Sequence, residues 1–176
     1  NGCNINAKTL FRFNSLLLAA ENGHFEIVKY LFENGCHVQE DDSLRGSISS
    51  SFVAGNGHFE MFKFLVENVC KIKEPIWLDS AAGGGHLEII KYLIENGNDI
   101  NEHSSCITFA SKNGHLEVIK YLVEKGCSLQ SMNTNGTCIM NAALNDKFEC
   151  VLWMLSNGSS LDENTKLGYF GKIIER

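Results

Sequence analysis

The chain has 176 residues, 44% of them hydrophobic and 20% charged, and 15 Lys and Arg against 21 Asp and Glu leave a net charge of −6. That composition suits a globular protein with one real core. No apolar run approaches the ~18 residues of a membrane span, and an acidic balance argues against a general nucleic-acid or anionic-membrane binder, both of which need a basic surface.

Taken in chain order, one sentence recurs. It reads GHFEIVKYLFENG at 23–35, GHFEMFKFLVENV at 57–69, GHLEIIKYLIENG at 85–97 and GHLEVIKYLVEKG at 114–126, with a weaker fifth copy, DKFECVLWMLSNG, at 146–158. His24, His58, His86, His115 and Lys147 mark one register, at intervals of 34, 28, 29 and 32 residues. In the first copy Ile27, Val28, Leu31 and Phe32 form one apolar stripe at helical spacing. Gly35 then predicts a helix stop. Upstream of each copy lies a second, shorter helical stretch: SLLLAA, SSSFVA, WLDSAA, CITFAS and CIMNAA. The Asn-Gly or Gly-Gly between the two predicts a tight turn. Each unit is therefore a helix, a turn, a longer helix and a loop. No unit buries both of its apolar faces alone, whereas a stack of them does.

These units resemble ankyrin repeats, whose period is about 33 residues. The resemblance runs from NGCNIN at 1–6 to about Ser160 and is carried best by AAENGHFEIVKYLFENGC, AAGGGHLEIIKYLIENGNDIN and ASKNGHLEVIKYLVEKGC. In style the array is most similar to ankyrin proteins of amoebal giant viruses and protists. The implied fold is all-α, an ankyrin-repeat solenoid of stacked helix–turn–helix units with short or irregular finger loops. It divides into the tail of a preceding repeat (1–7), repeats at 8–40, 41–74, 75–102 and 103–131, a divergent repeat (132–164), and a partial repeat or C-terminal cap (165–176). The ends read as a section of a longer chain. The family's Thr-Pro-Leu-His is replaced throughout, by NSLL, ISSS, IWLD, SCIT and TCIM. The fingers at Cys70–Pro75 and Asn98–Ser105 are too short to project a hairpin, while those at 36–46 and 127–136 are long enough.

Little in this pattern supports chemistry. One His per repeat makes a ladder with neighbouring helices roughly 8–10 Å apart, whereas zinc needs its ligands ~2 Å from one centre. Each His is expected to cap its helix and hydrogen-bond the adjacent repeat. Seven cysteines read as small buried hydrophobes in a reducing compartment. The aromatic line Tyr30, Phe64, Tyr92, Tyr121 and Trp153 is expected to pack against the next repeat. The line Glu26/Lys29/Glu33 and its equivalents solubilise the outer face. GGGH at 83–86 lacks the Lys and strand of a phosphate loop. There is no nucleophile–base pair and no carboxylate dyad, so neither catalysis nor a cofactor or metal is expected.

The function implied by the resemblance is protein–protein recognition through the concave groove and finger loops, with no partner named by the sequence. Carried over position by position, the contact residues are Phe11, Phe13, Glu21, Asn22, Leu44, Arg45, Ser47, Asn56, Gly83, Gly84, Ser104, Lys112, Asn113, Thr134, Leu144 and Asn145. Gly83 and Gly84 are expected to let a partner backbone come close. Two alternatives stay open: the substrate-recognition arm of a larger enzyme such as a ubiquitin ligase, and a structural component of a viral or cellular assembly. A cytoplasmic location is expected, in the host cytoplasm or the virion if the source is viral. LIENGNDIN also resembles an asparaginyl-hydroxylase recognition pattern, with Leu93, Asp99 and Ile100 preceding Asn101.

Overall fold

The recurring apolar stripes fold as helices, and the glycines between them as turns. The computed structural model describes residues 4–10, 13–37, 50–69, 75–100, 105–134 and 136–159. The helices are α1 (Ser15–Glu21), α2 (Phe25–Glu33), α3 (helical over 50–55), α4 (Phe59–Asn68), α5 (Pro75–Gly84) and α6 (Leu87–Glu95), then α7 (Ser105–Asn113), α8 (Leu116–Glu124), α9 (Cys138–Leu144) and α10 (Phe148–Ser156). A short antiparallel ribbon, β1 (Met132–Asn133) and β2 (Gly136–Thr137), precedes α9, with Met132 opposite Thr137. Among the described residues the architecture is all-α apart from this ribbon and an isolated bridge between Lys8 and Asn14. The finger at 127–136 thus projects a minimal hairpin, while most of the other fingers lies outside the described residues.

Each turn is a helix cap used as a hinge. The backbone N–H of His24, His58, His86 and His115 donates to the carbonyl five residues earlier, at 2.9, 3.2, 2.9 and 3.0 Å. That is the long bond of a Schellman turn, which needs a left-handed residue just before it. Gly23, Gly57, Gly85 and Gly114 supply it with φ of 75°, 75°, 81° and 84°. In the fifth unit Asp146 does so at φ 57°, alone among the described non-glycine residues. The second helices close likewise, with Cys36, Asn98, Cys127 and Ser159 bonding back to Leu31, Leu93, Leu122 and Met154 at 2.9 to 3.0 Å. In α4 the valine Val69 stands where the glycine should, stays right-handed at φ −115° and ψ −45°, and the helix runs on for 10 residues instead of 9. Helix starts also manage without the family's Thr-Pro. Asn14 Oδ1 accepts the Leu17 N–H at 3.0 Å and caps α1, and the chain's single proline opens α5, where its missing N–H costs nothing.

The units stack in chain order. First helices meet one another more closely than second helices do, because their facing residues are small: Ala19, Ala20, Ala54, Ala81, Ala82, Ala110, Ala142 and Ala143 are all buried. A stack that is tighter on one side curves, so α1, α3, α5, α7 and α9 line the concave face. Phe62, Trp77, Leu78, Ile90, Leu93, Ile107, Ile119 and Leu122 fill the continuous core between the layers. The aromatic line packs in the direction opposite to expectation. Phe64 lies edge-on to Phe25 and Phe32 at 5.8 and 5.4 Å, and Tyr92 to Phe59 and Phe62 at 5.8 and 6.4 Å, so each rests on the preceding unit. The reason is rotational: residues five apart, such as Phe25 and Tyr30, lie about 140° apart around a helix and face opposite neighbours. Tyr30, with no described unit before it, is 65% exposed. On the outer face Lys29 pairs with Glu26 at 3.5 Å and Lys120 with Glu117 at 2.7 Å; such exposed pairs contribute ~0.2–0.5 kcal/mol each. No helix among the described residues is long and apolar enough to cross a membrane.

Candidate functional site

The histidine ladder serves packing between repeats. His86 Nε2 donates to the Gly55 carbonyl at 3.0 Å, and His115 Nε2 to the Gly83 carbonyl at 2.9 Å; a carbonyl only accepts, so this nitrogen carries the proton. The expected capping role fails, since no ladder histidine makes a side-chain cap bond to its own helix. The rings turn back over the turn glycine of the preceding unit instead. A Cβ on Gly23 would lie 2.9 Å from His58 Nε2, and one on Gly85 2.5 Å from His115 Nδ1; His86 closes over Gly57 in the same way. Lys147 continues the pattern, its Cδ 2.6 Å from a Cβ on Gly114. Each glycine is thus required twice, by its φ and by the side chain above it. Among the described residues no group of three His, Cys, Asp or Glu is arranged to hold a metal ion.

The described cysteines Cys36, Cys106, Cys127, Cys138 and Cys150 are free and buried. The Cys106 and Cys127 thiols are neighbours within one repeat, a pairing the sequence reading did not make. It occupies the register of Ser15 Oγ and Cys36 Sγ, 3.8 Å apart in the first unit. The neighbouring Cys127 thiol, then burial, pushes the Cys106 thiol up, while Cys106 lowers Cys127. Burial pushes Cys138 up to about 11. These are packing groups rather than poised nucleophiles.

The expected contact residues divide. Phe11, Leu44, Arg45, Ser47, Ser104 and Asn101 lie outside the described residues; in the pattern leading to Asn101, Leu93 and Ile100 are buried. Lys112, Leu144 and Thr134 are exposed, Thr134 at the ribbon tip. Asn22, Asn56, Asn113 and Asn145 are exposed at the ends of first helices. Three of them spend their amides on carbonyls: Asn22 on Leu18 at 2.8 Å, Asn145 on Asn141 at 2.8 Å, and Asn113 on Gly83 of the preceding unit at 2.6 Å. Glu21 is half-buried. Phe13 is also half-buried and packs on the core, which corrects its reading as a solvent-facing anchor. Gly84 is corrected too. Its missing side chain makes room for the Gly55 carbonyl and the His86 ring, whose Cδ2 would be 2.6 Å from a Cβ, so that space is already filled from within the chain.

What the sequence reading passed over is the exposed flank of the first helices. Three residues before the Glu21/Gly55/Gly83/Lys112/Leu144 register stand Leu18, Phe52, Ser80, Phe109 and Asn141. Leu18, Phe52 and Phe109 are 39%, 55% and 38% exposed, and Ile76, one turn before Ser80, 45%. Asn141 closes the line at the fifth unit. It is buried beneath the ribbon and donates to Asn133 Oδ1 and the Gly136 and Thr137 carbonyls at 3.2, 3.0 and 2.9 Å. Between α3 and α5 the line dips into an open groove of about 460 Å³, with Phe52 and Ile76 beside a floor of Gly55, Ser80 and Gly83. Large apolar residues recurring in SSSFVA and CITFAS at one register, beside small residues, were the available signal. The helical stripe drew attention to the buried side instead.

The comparisons agree with this geometry. A family model described as ankyrin repeats in three copies matches residues 1–76 and 78–165. The crystal structure of the human ASB11 ankyrin repeat domain superposes with a TM-score of 0.74 at 25% identity, covering 92% of this chain and 76% of that one. The search of curated proteins found no match. The helix–turn–helix units, their Schellman turns and the matched spans together place this chain in the ankyrin-repeat family.

Proposed function

We propose that this domain binds a partner protein through its concave face, with Leu18, Phe52, Ile76 and Phe109 as the apolar contact line and the Thr134 ribbon tip at its rim. Ankyrin repeats are a general protein–protein interaction module, typically non-catalytic. The observation that carries the reading is that large apolar side chains stand at one register on the exposed flank of α1, α3 and α7, with Ile76 of α5 beside the groove between them. The second helices α2, α4, α6 and α8 by contrast carry Glu and Lys at recurring outer steps, while α10 exposes Leu152 at the Lys step. Single exposed apolar residues are ordinary, but contiguous ones mark contact surfaces, and aromatic anchors carry most of the binding energy in such surfaces.

The test is affinity capture from cells with the wild-type chain, a Phe52→Asp/Phe109→Asp variant and a Glu60→Ala/Glu95→Ala control on the outer face. A partner retained by the control and lost by the first variant is the expected result. A partner held equally by all three, with unchanged circular dichroism, would place the binding surface elsewhere.

A further inference from the structure

The apolar line has a gap in it, and the gap has a shape. At equivalent positions the first four units carry Leu18, Phe52, Ser80 and Phe109, so the third unit lacks the large side chain its neighbours have. The next register carries Glu21, Gly55, Gly83 and Lys112, where the second and third units lack a side chain altogether. Ser80, Gly55 and Gly83 leave the open groove of about 460 Å³ between α3 and α5. Nothing in the backbone requires these glycines to be bare. A Cβ on Gly55 would sit 3.6 Å from the Ser80 carbonyl oxygen, and one on Gly83 3.7 Å from both Phe109 Cβ and Asn113 Nδ2; all are ordinary contacts. This distinguishes them from Gly84, where a Cβ has no room.

The backbone of the floor offers little, and the polar side chains of the lining are Ser51, Asn56 and Ser80. The Gly55 carbonyl accepts from His86 at 3.0 Å. The Gly83 carbonyl accepts from Asn113 at 2.6 Å and from His115 at 2.9 Å, which uses both lone pairs. A polar occupant would find few partners besides the Ser80 hydroxyl and would lose much of its water without replacement, whereas an apolar one would cover Phe52 and Ile76. Charge sets the surroundings. Across the described residues of α3, α5 and α7, Lys112 is the one exposed charged side chain, and it pairs with no carboxylate among the described residues. Asp79, half-buried on α5, accepts the Ser105 hydroxyl at 2.7 Å. A protein of net charge −6 thus presents Lys112 as the exposed charge beside an apolar gap.

We propose that the groove between α3 and α5 receives one bulky apolar side chain of a partner polypeptide, Phe or Leu in size, in a segment that places an Asp or Glu beside Lys112. The inserted side chain completes the line at Ser80, between Phe52 and Phe109. This rests on the concave-face reading above and specifies which residues of a partner that face selects.

The experiment is selection of a random 12-residue peptide library displayed on phage against the full chain, followed by titration of synthesised hits by fluorescence polarisation. Hits are expected to share a Phe, Leu, Ile or Met with an acidic residue within four positions. Ser80→Phe, which installs the residue already present in α3 and α7, is expected to weaken them at least tenfold. Ser80→Leu, the residue of α1, does the same and guards against misfolding of the first variant, and circular dichroism checks both. Lys112→Glu is expected to weaken them about three- to tenfold. Hits lost with Phe109→Asp but indifferent to both Ser80 variants would overturn the groove and leave the concave face standing. Hits indifferent to all of these would overturn both readings, and a selection that enriches no such motif overturns the groove.

Discussion

At the residue scale, two adjacent glycines with the same side chain have opposite reasons to exist. Gly84 is held by packing, because a methyl group there meets the Gly55 carbonyl and the His86 ring. Gly83 is bare within a helix whose neighbours leave space. Gly83→Ala is therefore expected to stabilise by about 0.5–1 kcal/mol, the usual gain in replacing a helical glycine. Gly84→Ala is expected to cost on the order of 1–3 kcal/mol through overpacking. Chemical denaturation of the two variants checks this, and equal effects would contradict the assignment. The sequence showed GGGH as a helix–turn–helix junction, and that much was legible. Which of Gly83 and Gly84 serves the fold was not, because the deciding neighbours come from other repeats, the Gly55 carbonyl against Gly84 and Phe109 and Asn113 beside Gly83. The histidines carry the same lesson. Their register was plain in the sequence and their reach to the adjacent repeat was inferred. Their failure to cap their own helices follows from a ring orientation that only the preceding glycine's open space permits.

At the element scale, the period of the apolar stripe and the glycines after it sufficed to place the second helices. Their ends are governed by local bonds, five residues in reach. The direction in which the aromatic line packs was not legible, since the stripe says that Phe64 and Tyr92 are partly buried but not by which neighbour. The cores that result are nearest-neighbour interfaces, and stability should concentrate there. Leu93, fully enclosed between α5, α6 and their neighbours, is 1% exposed, whereas Glu95 two residues on is in solvent. Leu93→Ala is expected to lose roughly 2–5 kcal/mol by leaving a cavity, and Glu95→Ala to stay within about 0.5 kcal/mol. Urea melts of both settle it. Comparable losses would mean that α6 presents a different face to the core.

At the scale of the whole molecule, the curvature follows from side-chain size. Alanine, glycine and serine between first helices draw them together, and Phe, Tyr, Ile and Leu between second helices hold them apart. That is why the exposed flank of the first helices is the inner face, and why residues at one register of successive units line up across it. The repeat itself announced the solenoid from sequence. The contact surface was only partly legible, because family position marked out the helix ends, where the amides of Asn22, Asn113 and Asn145 bond carbonyls, and passed over the helix flanks where Phe52, Ile76 and Phe109 stand. The most direct measurement of the central claim is site-specific photo-crosslinking in cells, with benzoylphenylalanine at position 52 or 109 on the concave face and at position 63 or 95 on the outer one. The account predicts a discrete crosslinked adduct from positions 52 and 109 and none from 63 and 95. Adducts confined to 63 and 95 would contradict it.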